Sequence, residues 1–187
     1  MTGCPSSRDV VIFRHPYGEN EKNSRALLLR AAAACTGLSE HQLGAVEQGE
    51  RGKPFFPGHP ELQFSITHSG TWWLCAFSGQ PVGLDVQLHQ THLPPEKLSR
   101  RFFHPMEDAF LAGGEYRQFF DLWSAKESWV KFTGRGLYDG TESFSVVSAE
   151  GAFPAVEGAQ LRLLPFEAGY SLCLCARQIG SISFCSL

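Results

Sequence analysis

The predicted fold is organised around one helix, whose middle reads Leu122-Trp123-Ser124-Ala125-Lys126-Glu127-Ser128-Trp129-Val130-Lys131. The spacing of its apolar side chains predicts a helix from about Glu115 to Thr133 with one wide apolar face. Lys126 and Glu127 fall within that face, where an unpaired charge is costly. Since Lys131 lies one turn beyond Glu127, the simpler interpretation is an ion pair at the edge of a buried face. The alternative is a metal-binding or catalytic carboxylate.

Composition and charge bound the class of protein. The chain has 187 residues, of which 43% are hydrophobic and 19% are charged, which suits one compact unit or two small halves sharing a core. A net charge of -3 gives no general affinity for nucleic acid. Apolar runs stay well short of the roughly 20 residues that span a bilayer, and the first residues lack the pattern of a secretory signal. We expect a cytoplasmic monomer that binds neither membranes nor nucleic acid.

The six cysteines are expected to be buried and reduced. None of them forms a C-x-x-C pair, and several lie in apolar runs typical of strands. Such residues behave as small hydrophobic side chains in a reducing compartment. The alternative, a disulfide framework, suits a chain this apolar poorly.

Helical patterns are followed by strand patterns twice along the chain. In the first half, helices are predicted over Ser24–Cys35 and from Ser39 onward. Three runs with short spacers then predict an antiparallel meander, namely Leu62–Thr67, Trp72–Phe77 and Val82–Leu88. The second half has a helix break at Pro105, the central helix, and strand-like runs at Ser143–Ser148, Ala159–Leu164, Tyr170–Ala176 and Ile182–Cys185. The repeated order predicts two similar helix-plus-antiparallel-sheet halves, residues 1–84 and 85–187, with a seam near Gly83 to Leu88.

Several polar residues interrupt these apolar patterns. Asp85 lies within an apolar strand, and Gln87 points to the same face of that strand. Alone, Asp85 could simply bond a turn at a strand end, but together with Glu127 it could form a site for a hard cation. Thr67 and His68 lie at the end of a strand, where their side chains and the backbone could donate hydrogen bonds to a phosphate. A lone histidine in such a place more often makes a structural hydrogen bond.

Lys53 precedes a proline in a loop that is basic at its start. It could be a solvated loop lysine. It could equally be held by the proline as a contact to a phosphate or a purine.

Taken together, these segments resemble a known family. They read in order Gly52-Lys53-Pro54, Phe64-Ser65-Ile66-Thr67-His68-Ser69, Val82-Gly83-Leu84-Asp85-Val86, Phe103 with Glu107, Trp123-Ser124-x-Lys126-Glu127-Ser128-x-x-Lys131 and Gly134-x-Gly136-Leu137. This order and spacing, from about Arg51 to Phe144, resembles the 4′-phosphopantetheinyl transferases. The resemblance is to the larger pseudo-dimeric type that activates nonribosomal peptide synthetases. It implies an α+β fold whose two similar halves form a pseudo-dimer, with the active site, coenzyme A and Mg²⁺ at their seam.

The resemblance also implies roles for the acids. Asp85 and Glu127 correspond to Mg²⁺ ligands, and Gln87 stands where the family usually has a further acid. An amide oxygen can still ligate, or a water can take its place, but the site loses one negative charge. Glu107 corresponds to an acid near the attacking hydroxyl, so Glu127 or Glu107 would take the proton of that hydroxyl.

Coenzyme A contacts follow from the same resemblance. Lys53, Thr67 and His68 correspond to contacts with its nucleotide end, and Lys131 corresponds to the residue beside the pyrophosphate. Arg25, at a helix start, would reach the 3′-phosphate. Other basic residues that hold coenzyme A in longer members have no clear counterpart in the shorter N-terminal section.

The implied activity is transfer of the 4′-phosphopantetheine arm of coenzyme A to a serine of an acyl or peptidyl carrier protein. The reaction would depend on Mg²⁺ and release adenosine 3′,5′-bisphosphate. Two alternatives remain open from the sequence: a non-catalytic module that binds coenzyme A or a nucleotide, and a Mg²⁺-dependent phosphohydrolase that uses the same two carboxylates.

Overall fold

The computed structural model describes residues 5, 8–18, 23–136, 140–148, 151–153 and 155–187. The α-helices in this part of the chain are α1 (Ser24–Thr36), α2 (Glu40–Leu43), α3 (Pro95–Phe102), α4 (Pro105–Gly113) and α5 (Phe119–Thr133), and a short 3-10 helix spans Thr141–Ser143. The strands are β1 (Val10–Pro16), β2 (Glu47–Gln48), β3 (Pro54–Phe55), β4 (Gln63–Ser69), β5 (Trp72–Ser78), β6 (Val82–Leu88), β7 (Val147–Ser148), β8 (Gly151–Ala152), β9 (Gln160–Leu163), β10 (Tyr170–Ala176) and β11 (Ile182–Ser186).

Two larger sheets carry the fold. The first has the order β11-β1-β5-β4 and the second has the order β6-β10-β9. Neighbouring strands are antiparallel in both sheets, except that β1 and β11 are parallel. Two-stranded pairs, β2 with β3 and β7 with β8, lie outside them.

The two halves share one strand order. Each begins with a strand, continues through helices, and ends in a hairpin whose second strand lies in the middle of the sheet. This gives β1-β5-β4 in the first half and β6-β10-β9 in the second. The predicted α+β fold of two similar halves is confirmed.

The third strand of the predicted meander, β6, lies in the second sheet. Strand β6 does not continue a meander from β5, because all seven of its residues, Val82 to Leu88, pair with β10. Residues 82–84 therefore pair within the second sheet, whereas the predicted division places them in the first half. Strand β11 returns to the first sheet, where Val10 pairs with Ile182 and Arg14 with Ser186.

Helix ends follow local sequence signals. Helix α1 ends at Gly37, which adopts φ 79° in the left-handed region that glycine favours. Ser39 caps α2 in a capping box with Gln42. Helix α5 begins later than predicted, because Glu115 and Tyr116 both have positive φ and interrupt the helical run.

The two sheets pack face to face through apolar side chains of β1, β5, β6 and β10. The buried members of this central cluster are Val10, Ile12, Leu74, Ala76, Val82, Leu84, Val86, Leu172 and Leu174. Helix α1 covers the outer face of the first sheet, and α5 covers that of the second. The apolar core is therefore layered, with α5 and β6 in direct contact.

Gly83 lets α5 approach β6 closely. A Cβ atom at this position would overlap the carbonyl oxygen of Ser128 and lie 2.5 Å from the backbone nitrogen of Phe132. Only glycine fits such an approach between a strand and a helix. Gly83 thus fixes how α5 lies over the strand that carries Asp85.

Strands β4 and β6 lie against each other, and side-chain hydroxyls rather than a backbone ladder join them. Three backbone N–H groups of β6 donate to three hydroxyls of β4. These bonds run from Leu84 to Ser65 Oγ at 2.9 Å, from Val86 to Thr67 Oγ1 at 3.2 Å, and from Leu88 to Ser69 Oγ at 3.0 Å. We call this set the hydroxyl ladder. It joins the two sheets at their seam.

The described cysteines agree with the expectation from composition. Cys35, Cys75, Cys173 and Cys175 are buried, and Cys185 is half-buried. Cys4 lies outside the described residues. Among the helices of the described chain, none has the length and apolar character needed to cross a membrane.

Candidate active site

Asp85 lies at the centre of a polar cluster on the seam. Its side chain is 4% exposed, so its charge must be balanced from within the protein. Oδ1 accepts a hydrogen bond from Lys131 Nζ at 2.6 Å and another from Thr67 Oγ1 at 3.1 Å. Oδ2 accepts one from Gln87 Nε2 at 2.8 Å. The structure thus brings together four residues that the sequence singled out.

Glu127 lies one turn before Lys131 on α5 and is half-buried. Burial raises the pKa of its carboxyl, the charge of Asp85 raises it further, and the charge of Lys131 lowers it. Asp85, Glu127 and Lys131 are therefore close enough to influence each other electrostatically. Glu127 also lines a cavity of about 200 Å³ together with Trp123 and Lys126.

Glu107 belongs to a separate, fully buried network. Its side chain is 0% exposed, and its oxygens accept from Lys126 Nζ at 2.7 and 2.9 Å. They also accept from the backbone N–H groups of His104 at 2.9 Å and Val146 at 2.7 Å. The partner of the buried Lys126 is therefore Glu107, and in this conformation Glu107 has no surface facing a substrate.

Lys53 uses its ammonium group to hold the backbone. Nζ donates to the carbonyl oxygens of Lys131 at 2.7 Å, Val82 at 3.1 Å and Phe132 at 3.3 Å. These contacts use all three donors of a lysine. Burial lowers the pKa of Lys53 to about 8. In this conformation Lys53 does not offer a free donor to a ligand, in contrast to its predicted contact with coenzyme A.

The other predicted contacts to coenzyme A divide into exposed and buried residues. His68 is exposed, and its ring packs on that of Tyr17 with centroids 5.3 Å apart. Arg25 is exposed on the first turn of α1. Thr67 is only 4% exposed, and its hydroxyl is engaged with Asp85 and with the backbone of Val86.

A second cavity, of about 240 Å³, lies beside the acidic cluster. Its walls come from the loop at Arg51–Pro54, from β4 at Phe64–Ile66, and from the C-terminal end of α5 at Val130 and Lys131. Gly134 and Gly136 complete it. The cavity thus lies between the two halves and shares Lys131 with the polar cluster.

The donor set fits a hard divalent cation that arrives with a phosphate ligand. Asp85 and Glu127 supply carboxylates, and Gln87 carries an amide oxygen beside them. Mg²⁺ takes one or two carboxylates and completes its shell with water and phosphate oxygens. A group of three or more acid, histidine or cysteine ligands is absent from the described residues. Lys131 supplies the positive charge that balances Asp85.

Two structural features of the site escaped the sequence analysis. Ser65, Thr67 and Ser69 alternate along β4, and this alternation of hydroxyls was a readable signal for a polar edge. Gly83 was noted only as part of a motif, whereas its place under α5 required knowledge of the packing.

Fold and site together define a two-half α+β protein with an acid–lysine cluster at the seam of its sheets. A profile of the 4′-phosphopantetheinyl transferase superfamily matches residues 81–176, which is about half of the chain. The chain belongs to the 4′-phosphopantetheinyl transferase superfamily.

Individual relatives agree with this assignment. A 4′-phosphopantetheinyl transferase of Bacillus subtilis is 33% identical over 162 residues, which cover 80% of this chain and 70% of the relative. The 4′-phosphopantetheinyl transferase Sfp of Bacillus subtilis strain 168 is 33% identical over 137 residues, covering 68% and 60%. The L-aminoadipate-semialdehyde dehydrogenase-phosphopantetheinyl transferase of Saccharomyces cerevisiae is 32% identical over 129 residues, covering 61% and 46%. The family predicted from the motifs is confirmed.

Proposed function

We propose that this chain transfers the 4′-phosphopantetheine arm of coenzyme A to a serine hydroxyl of an acyl or peptidyl carrier protein. The observation that carries the proposal is the cluster of Asp85, Glu127 and Lys131 at the seam, within the segment that matches the superfamily. Adenosine 3′,5′-bisphosphate is the other product. We further propose that the protein acts as a monomer in the cytoplasm.

Asp85 and Glu127 would hold Mg²⁺, with Gln87 or a water beside them. When bound, the ion would offset negative charge on the pyrophosphate of coenzyme A. Ionising two neighbouring carboxylates away from water costs free energy unless a cation lies between them. The effect of Asp85 on the pKa of Glu127 therefore supports a cation site.

Lys131 is the candidate for stabilising the leaving group. Its side chain is 29% exposed and its ammonium is bonded to Asp85, so Lys131 lies at the boundary between the buried acid and the cavity of about 240 Å³. A phosphate oxygen in that cavity would compete with Asp85 for the same ammonium. Lys131 then stabilises or protonates the departing phosphate.

Glu127 is the candidate for removing the proton from the serine. As the serine oxygen bonds to the phosphorus of the pantetheine phosphate, the bond from that phosphorus to the oxygen of adenosine bisphosphate breaks. The serine proton passes to Glu127, directly or through a water. Glu107, the other candidate from the sequence, is buried and bonded to Lys126, so we assign it no direct part.

We assign the nucleotide end of coenzyme A to the first half, on the side of the cluster where His68 and Arg25 are exposed. His68 would contact a phosphate and Arg25 the 3′-phosphate, since both are exposed cation-forming side chains. Lys53 would shape the cavity wall through its backbone contacts. Most of the rate should come from positioning and charge stabilisation.

One incubation distinguishes the proposal from its alternatives. The protein is mixed with coenzyme A, Mg²⁺ and a carrier domain, and the carrier is weighed by mass spectrometry. A transferase adds the mass of the arm to the carrier. A phosphohydrolase consumes coenzyme A without a carrier, and a non-catalytic module does neither; either result refutes the proposal.

A further inference from the structure

We propose that Thr67 is a positioning residue that holds the Asp85 carboxylate in the orientation the reaction needs. This inference rests on the proposed function, because it concerns the same site. It assigns to Thr67 a role inside the protein in place of a contact with coenzyme A.

The hydrogen bonds of one hydroxyl carry the argument. Thr67 Oγ1 donates to Asp85 Oδ1 at 3.1 Å and accepts from the backbone N–H of Val86 at 3.2 Å. A threonine hydroxyl has one proton. Because the oxygen accepts the N–H of Val86 on one side, that proton points toward the carboxylate. With Thr67 4% exposed and Asp85 3% exposed, water does not compete for this contact.

The position of Thr67 in the hydroxyl ladder makes this contact rigid. Ser65 and Ser69 flank it on the same face of β4, and each accepts a backbone N–H of β6. Thr67 is the member of the ladder that also donates to Asp85. A β-branched side chain is restricted at χ1, so the hydroxyl needs little ordering to reach the acid.

The remaining contacts of Asp85 come from groups that can move. Lys131 has a long side chain that is 29% exposed, and Gln87 is half-buried. When Lys131 turns to a phosphate, Thr67 still fixes Oδ1. A carboxylate that is already held in place binds a cation more tightly than one that must be ordered on binding. Hydrogen-bond partners of metal ligands generally have this effect.

Three variants test the role. Thr67→Val keeps the shape and removes the hydroxyl, whereas Thr67→Ser keeps the hydroxyl. Ser69→Ala is the matched control, since it also leaves one N–H of β6 without its hydroxyl acceptor but does not touch Asp85. Transfer rates are measured against Mg²⁺ and coenzyme A separately. Binding of Mn²⁺ to the protein with coenzyme A is measured by calorimetry.

We expect Thr67→Val to raise the half-saturating Mg²⁺ concentration and to weaken Mn²⁺ binding, each by about tenfold, as removal of a group supporting a metal ligand does. Its KM for coenzyme A should stay within about twofold, and Thr67→Ser should restore the metal dependence. If Thr67→Val does not fold, Thr67→Ala replaces it. The proposal is overturned if the metal dependence is unchanged, if KM for coenzyme A rises alone, or if Ser69→Ala causes the same loss.

The calorimetric arm separates this proposal from the proposed function. If the wild-type protein transfers no arm but Thr67→Val still weakens Mn²⁺ binding tenfold, the positioning role stands and the transferase activity fails. If the wild type transfers the arm and Thr67→Val binds Mn²⁺ normally, the transferase activity stands and the positioning role fails.

Discussion

Lys53 Nζ lies 2.7 Å from the carbonyl oxygen of Lys131 and donates a hydrogen bond to it. Through this bond, a loop of the first half holds the last turn of the helix that carries Glu127 and Lys131. The same ammonium also bonds Val82, at the start of the strand that carries Asp85. One side chain thereby connects the three elements on which the site depends.

Replacement of this ammonium should reduce stability. Lys53→Met removes three donors from backbone carbonyls, and we expect a loss of about 1–3 kcal/mol in the free energy of unfolding. Urea denaturation measures it, and Lys97→Met on the exposed face of α3 is the control. A variant as stable as the control, with only a raised KM for coenzyme A, would instead support direct contact with the ligand.

The stability contributed by Lys53 should also depend on pH. Its pKa is about 8 in the folded protein and near 10.5 in the unfolded chain, so the unfolded chain binds more protons between these values. Stability therefore gains a contribution that rises with pH across this window. We expect the difference in stability between wild type and Lys53→Met to be larger at pH 9.5 than at pH 7. A constant difference would contradict the lowered pKa.

Glu127 should cost stability at neutral pH. Its pKa is raised in the folded protein, so its contribution is fully present below about pH 4.5 and is lost as pH rises through the folded pKa. Glu127→Gln should therefore unfold at higher temperature than wild type at pH 7, but not at pH 4. Turnover of the Glu127→Gln variant should fall by about 100-fold or more. Glu115→Gln, at a side chain that is 77% exposed, is the control for both measurements.

Lys131 should compete with a cation for Asp85 when coenzyme A is absent. We expect wild-type protein alone to bind Mg²⁺ weakly by calorimetry, because Lys131 and Gln87 already donate to that carboxylate. Lys131→Met and Gln87→Glu should each strengthen this binding by about tenfold, since each makes the site more negative. Wild-type protein that binds Mg²⁺ tightly without coenzyme A, and is unaffected by both changes, would refute the idea.

Gly83 should tolerate no side chain. Gly83→Ala forces α5 away from β6, and we expect a loss of at least about 1–3 kcal/mol in stability together with slower transfer. Gly58→Ala is the matched control, because a Cβ at Gly58 meets nothing within 4 Å. Thermal unfolding and the transfer assay on both variants decide the matter. Equal behaviour of the two would mean that the close approach is not maintained in solution.

Local signals predicted the ends of elements and the type of most of them. Gly37 and Ser39 marked the end of α1 and the start of α2, since both act through the backbone beside them. Local signals could not predict which strand pairs with β6, namely β10. An alternating pattern shows which side chains share a face, but not which strand lies alongside.

Some residues that the sequence singled out lie together in the structure, but their contacts were not predicted. Asp85, Gln87 and Lys131 do lie together. However, Lys53 bonds a carbonyl 78 positions further along the chain, and a backbone group has no residue type that could reveal it. Glu107 shows the converse: its motif was recognised, but its burial opposite Lys126 depends on packing between helices.

Strand β11 has a consequence for stoichiometry. It pairs with the outer edge of β1, from Val10 to Arg14. By the shared strand order of the halves, this edge corresponds to the edge of β6 that meets the hydroxyls of β4 and carries Asp85. Two halves with the same strand order would permit a second, equivalent site at the edge of β1, but β11 occupies that edge. We therefore expect one molecule of coenzyme A per chain, not two.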